Sequence, residues 1–214
     1  MFLPKESVVV AAVCAFLVVA SAVSLAEDPK WRSIIADVDV RRDAQAGEWR
    51  KLREVLEVTT TDRAKILLPI APEGEYDCRV SFSRHSGSDS LALIFPIGDK
   101  QTCFEVDAAG ENLAGFDQLG GKPLRENSSK ATGVKLRNGQ RYQLTVEVRK
   151  GEVRGLLDGK PIVSHKTDGA DMGLSEHWLI SKKDRLGLGA MKGAFTIYSI
   201  EFRGKEKSST TPPK

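Results

Sequence analysis

From Glu48 onward the chain alternates apolar and polar residues in short runs, interrupted by turn residues about every 8 to 12 positions. That spacing predicts strands over residues 49–58, 64–70, 75–83, 90–97, 101–107, 140–149, 152–157, 161–165, 185–189 and 194–203. The breaks carry turn chemistry: Pro72-Glu73-Gly74, Ser86-Gly87, Gly98-Asp99, Asn138-Gly139, Lys150-Gly151 and Asp158-Gly159. No long stripe of helical period appears. The clearest segment is 140–163, where Leu144, Val146 and Val148 alternate with Thr145, Glu147 and Arg149, and Lys150-Gly151 reverses the chain. A second reversal at Asp158-Gly159 makes a meander whose single apolar face must be buried against another sheet. In the last strand Phe195, Ile197, Ile200 and Phe202 change parity around Tyr198, which predicts a bulge.

Outside these runs the pattern changes. Residues 8–26 hold no charge, follow Lys5 and end in Ser24-Leu25-Ala26 before Glu27, with small residues where a signal peptidase reads them. Residues 1–26 are therefore expected to be a signal peptide, and the protein to be secreted or to reside in the periplasm or cell envelope. Contact with a membrane is expected only if that segment stays uncleaved. Residues 27–46 read as an arm or one short helix, 47–204 as the β-domain, and 205–214, closing in Thr210-Thr211-Pro212-Pro213, as a disordered tail.

Charge and cysteines refine this picture. The 32 basic and 29 acidic side chains leave a net charge of +3, too even a balance to draw nucleic acid. Export leaves Cys78 and Cys103 where disulfides can form. The alternation puts Cys78 on an apolar face and Cys103 on a polar one, which argues against a bond and for one core and one surface thiol; a bulge would invert the parity. The 3 histidines, His85, His165 and His177, lack metal-ligand spacing. Neither a cofactor nor a metal is expected, and the aspartates that could suit calcium are scattered.

Several segments, taken in order, resemble the secreted concanavalin A-like domains abundant in planctomycete bacteria. They are Gly47-Glu48-Trp49 with Leu56, Ile66-Leu67-Leu68-Pro69, Glu75-Tyr76-Asp77, Asp158-Gly159-Lys160-Pro161 and Leu186-Gly187-Leu188-Gly189. The glycine-rich middle segment carries Gly120 where relatives often have Asp. The resemblance implies an all-β, two-sheet antiparallel jelly-roll sandwich, laminin G-like, with Trp49 in the core. It also implies a glycan-related or adhesive role, with distant similarity to 3-keto-disaccharide hydrolase domains.

Jelly-roll glucanases place carboxylates alternately along one strand. Only Glu105-Val106-Asp107 followed by Glu111 approaches that arrangement, and the third carboxylate falls too late, so no catalytic residue is assigned and the run reads as a solvent-facing edge. Sugar binding needs an exposed aromatic face and planar polar groups. Trp178, in a polar loop, is the best exposed aromatic, and Asn127, Asp117 and Arg84 are the polar candidates. The leading expectation is a non-catalytic module for carbohydrate or another cell-envelope component; the alternatives are a sugar hydrolase and a structural or adhesive module.

Overall fold

The structure, a computed structural model, describes residues 30–59 and 62–207. The expected signal segment lies outside them, as does the tail beyond Lys207. In chain order the strands are β1 (Arg32–Ser33), β2 (Ala44–Ala46), β3 (Trp49–Leu52), β4 (Val55–Val58), β5 (Ala64–Leu67), β6 (Pro72–Gly87), β7 (Leu91–Ile97), β8 (Lys100–Ala108) and β9 (Leu113–Phe116). They continue with β10 (Gln118–Leu119), β11 (Lys122–Pro123), β12 (Arg141–Arg149), β13 (Glu152–Leu157), β14 (Lys160–His165), β15 (Met172–Gly173), β16 (Gly187–Ala190) and β17 (Gly193–Glu206). Between β1 and β2 run a 3-10 turn, Ile35–Asp37, and a single helical turn, α1 (Val40–Asp43). The arm thus mixes short strand and helix, and it is pinned by Ile34, Ile35 and Val38 buried in the core.

The larger sheet has the order β14-β13-β12-β6-β17-β4-β3, with β1 added along β17; the smaller is β2-β5-β16-β7-β8-β9. A three-stranded patch, β11-β10-β15, lies beside them. All ladders are antiparallel among the described residues, giving the all-β jelly-roll sandwich expected from the alternation. Between the sheets sit Val80 and Phe82 of β6, Leu144 and Val146 of β12, Ile197 and Phe202 of β17, Leu93 and Phe95 of β7, and Phe104 and Val106 of β8. The meander pairs Val146 with Gly155 and Cys78, so its apolar face turns inward as predicted.

Several details depart from the sequence reading. Residues 49–58 form a hairpin rather than one strand, because Arg53 takes a positive φ of 57° in the turn. Lys205 and Glu206, read from the sequence as the start of the tail, pair with Glu73 and Pro72 at the end of β17. The parity change near Tyr198 is a bulge between Ile197 and Ser199. Both thiols are free and buried, Cys78 in the main core and Cys103 on the outer face of the smaller sheet. The opposite faces are as read, but Cys103 is no surface thiol, because a later loop covers it.

Gly155 faces the core where a Cβ would lie 2.6 Å from the Phe104 ring. Gly155→Ala is therefore expected to lower stability by about 1–3 kcal/mol through overpacking, read as a fall in the urea midpoint at unchanged slope.

Candidate functional site

The motif Leu186-Gly187-Leu188-Gly189 organises the outer face of the smaller sheet. Leu186 and Leu188 enter the core, so the two glycines face outward. A Cβ on Gly189 would come within 2.3 Å of the Trp178 ring, and one on Gly187 within 2.9 Å of Ile180. These glycines let the loop after β15 lie flat on the sheet, where Trp178 and Ile180 bury Leu67, Ala92, Ile94 and Cys103. Lys65 Nζ holds the loop through the Leu179 carbonyl at 2.6 Å, and Ser181 N donates to Gln45 Oε1 at 2.9 Å.

At one end of this loop three chemistry-bearing side chains converge. Glu105 points outward from β8, Asp117 follows β9, and His177 comes from the loop; each offers a ligand atom, and these atoms lie within 4.8 Å of one another. Asp117 is placed by its own amide, which donates to the Cys103 carbonyl at 3.1 Å. Its Oδ2 accepts from Ser175 N at 2.5 Å, and Ser175 Oγ lies 3.1 Å from His177 Nε2. Ser90 Oγ donates to Glu105 Oε2 at 3.1 Å, and the Cys103 thiol approaches Oε1 at 3.8 Å.

Glu105 and Asp117 are buried and His177 is half-buried. Burial first, then the charge of Asp117, pushes the Glu105 carboxyl up to about 7, against a smaller opposing effect of Trp178 and Ser90. Burial also raises Asp89 next door and lowers His177. The group forms the floor of a cleft of about 410 Å³ whose rim includes Asp89, Leu124, Arg125 and Lys192. A groove of about 680 Å³ beside Asp77 is larger, but there Asp77 is held by Arg149 and Arg203. Among the described residues the Glu105 cluster is the one group of three potential metal-ligating side chains.

The sequence-selected residues fall in different places. Asp117 belongs to this cluster. Trp178 reaches it only as a wall: its ring is fully buried, contrary to the exposed platform expected, because the outward glycines of β16 admit it to the sheet surface. Arg84 is 3% exposed and ion-paired with Asp107 at 2.8 Å. The Nη1 of that pair also donates to the Asp89 carbonyl, while Nε donates to Asn138 Oδ1 and Nη2 to the Leu136 carbonyl. Asn127 is buried, donating to the Phe116 carbonyl at 2.9 Å and accepting from Ser129 N and Oγ. Both side chains thus spend their polar groups on the fold. Glu105 and Asp107 form no solvent-facing edge either: both are buried, and a bulge at Asp107, with φ of 56°, turns it away from Glu105 toward Arg84.

No family model matches the sequence, and no curated protein does. Solved structures do. The carbohydrate-binding module CBM66 from Bacillus subtilis shares 14% identity over 83% of this chain and 98% of its own, with a TM-score of 0.53. The chain shares the fold of these β-sandwiches. The exoplasmic/lumenal domain of VIP36 in its Ca²⁺-bound form has 11% identity over 83% of this chain and 90% of its own, with a TM-score of 0.54. The Crh5 transglycosylase in complex with NAG has 12% identity over 84% and 85%, also at 0.54. At such identities the likeness is one of architecture, and the Glu105 cluster rests on this chain's own geometry.

Proposed function

We propose that the chain is an exported, non-catalytic carbohydrate-binding sandwich of the planctomycete type, with its ligand seated in the cleft over Glu105, Asp117 and His177. The observation that carries this reading is a buried polar group at the bottom of an open cleft, on the sheet face that does not contact the main core. Carboxylate oxygens and an imidazole can accept from and donate to sugar hydroxyls, and the apolar rim at Leu124 and Met191 can meet the C–H face of a sugar ring. Both carboxylates are tied into the wall, Glu105 by Ser90 and Asp117 by Ser175, which suits holding a ligand more than attacking one. The fold it shares with a carbohydrate-binding module and with a lumenal domain solved with a mannose-containing glycan supports the same class of ligand.

The test is calorimetric titration of the full-length protein with neutral and acidic polysaccharides, followed by Asp117→Ala. Saturable binding weakened at least about tenfold by the substitution is expected, since a sugar hydroxyl hydrogen-bonded to a charged group contributes about 1.5–3 kcal/mol. Absence of binding to every glycan class defeats the proposal. Mass analysis of the exported product is expected to show a chain starting at Glu27.

The close pair Glu105 and Asp117 gives the hydrolase alternative one specific footing, because retaining glycosidases hold two carboxyl groups about 5–5.5 Å apart. It predicts turnover of an oxidised disaccharide that Glu105→Gln abolishes.

A further inference from the structure

We infer that Glu105, Asp117 and His177 form a site for one divalent transition-metal ion. The inference does not depend on the sugar reading, and its test uses the metal alone. Three donors from three separate elements present ligand atoms within 4.8 Å of one another. Ligand atoms about 2.0–2.2 Å from a shared ion lie about 3.0–3.5 Å apart at tetrahedral or adjacent octahedral positions, so a small contraction of the cluster would complete three bonds.

The donor set selects the ion. Calcium and magnesium take oxygen ligands almost exclusively, whereas an imidazole beside two carboxylates suits Zn²⁺, Mn²⁺ or Co²⁺. A ring of outer contacts already orients the donors, as metal sites require: Ser90 on Glu105, the Ser175 amide on Asp117, and the Ser175 hydroxyl on His177. With three protein ligands, the cleft side stays open for water or a ligand hydroxyl.

Two further observations point to a missing partner. The Trp178 indole N–H is wholly buried and its influence on Glu105 lowers that carboxyl, but it meets no acceptor at full hydrogen-bond geometry, and a water or hydroxyl held by the ion would supply one. Among the described residues, no lysine or arginine forms an ion pair with Glu105 or Asp117. Lys192 and Arg125 stand at the rim, and Arg125 is paired with Glu111. Two adjacent buried carboxylates without a cation are costly, and a divalent ion would neutralise both.

The experiment titrates ZnCl₂, MnCl₂ and CoCl₂ into metal-free full-length protein by calorimetry and counts bound metal after dialysis. One ion per chain is expected, with a Co²⁺ visible absorption band and a rise in Tm on adding Zn²⁺. His177→Ala and Asp117→Asn should each weaken binding at least about tenfold, while His85→Ala, on the other sheet, should not. Failure to bind a stoichiometric ion overturns the inference, as does equal binding by His177→Ala and the parent. Should a variant fail to fold, the parent still decides, because an unchanged Tm with saturating Zn²⁺ also overturns it.

Discussion

Arg84→Ala is expected to destabilise the domain by about 3–5 kcal/mol, among the largest losses available to a single substitution here. The guanidinium bridges the two sheets, reaching from β6 to Asp107 at the bulge of β8 and to the segment before β12. Removing it strands the Asp107 carboxylate, itself 2% exposed, together with the Asp89 and Leu136 carbonyls and the Asn138 amide oxygen. Leu136 N still donates to Asp107 at 3.0 Å, but one neutral donor does not balance a buried charge. Adding Asp107→Asn should recover part of the loss, because Asn removes the charge and tolerates the left-handed backbone. Urea unfolding measures both variants. A cost below about 1 kcal/mol for Arg84→Ala would show that the pair is wetter than its burial indicates and would return Arg84 to the list of groups free to meet a ligand.

Trp178→Ala should cost a similar amount, about 3–5 kcal/mol if the loss is shared by the whole domain, since a wholly buried indole leaves a cavity that the flanking sheet cannot close. The damage has a local signature. Cys103 lies under the same loop, in the cluster with Ala92 and Ile94, and its thiol is held protonated mainly by burial. Cys78 lies in the other cluster, between the sheets. In the parent, neither thiol should react with an aromatic disulfide reagent without denaturant. In the variant, Cys103 should react while Cys78 stays protected, a difference that peptide mapping reads directly. Uniform protection of both would mean that the loop stays down without its anchor.

The sequence reveals every strand of six residues or more, the meander of β12 to β14 being the clearest, and the four-residue β5 and β16 as well. Short pieces such as Leu113–Phe116 gave too few periods to register, and Gly115 blurs what alternation there is. The candidate site was harder to see because its burial comes from a loop without period. Trp178 stands between Glu176-His177 and Ser181, a polar neighbourhood that reads as exposed, yet the facing glycines of β16 bury it. The sequence displays those glycines as a Leu-Gly-Leu-Gly motif without the reason for them. In the sequence Glu105 pairs naturally with Asp107, and the bulge that separates the two leaves no clear trace in residue types. Asp117 stands out in the sequence, but its partner His177 lies far along the chain and has no local metal-ligand spacing; such a site becomes visible only when the sheet order brings β8 and the loop together.

The pairing of β6 with β17 has a consequence in time as well as in space. Pro72 meets Glu206 and Gly87 meets Gly193, so the middle of the larger sheet joins an early strand to the last strand of the described residues. Contacts this distant in sequence slow folding, because the long intervening loop must be closed before they form. As the chain leaves the ribosome, β6 can find β12, but its other edge stays unoccupied, and β4 has no bridge to β6, until residues 193–206 emerge. The two halves of that sheet therefore join late, only once residues 193–206 are available to bridge β6 and β4.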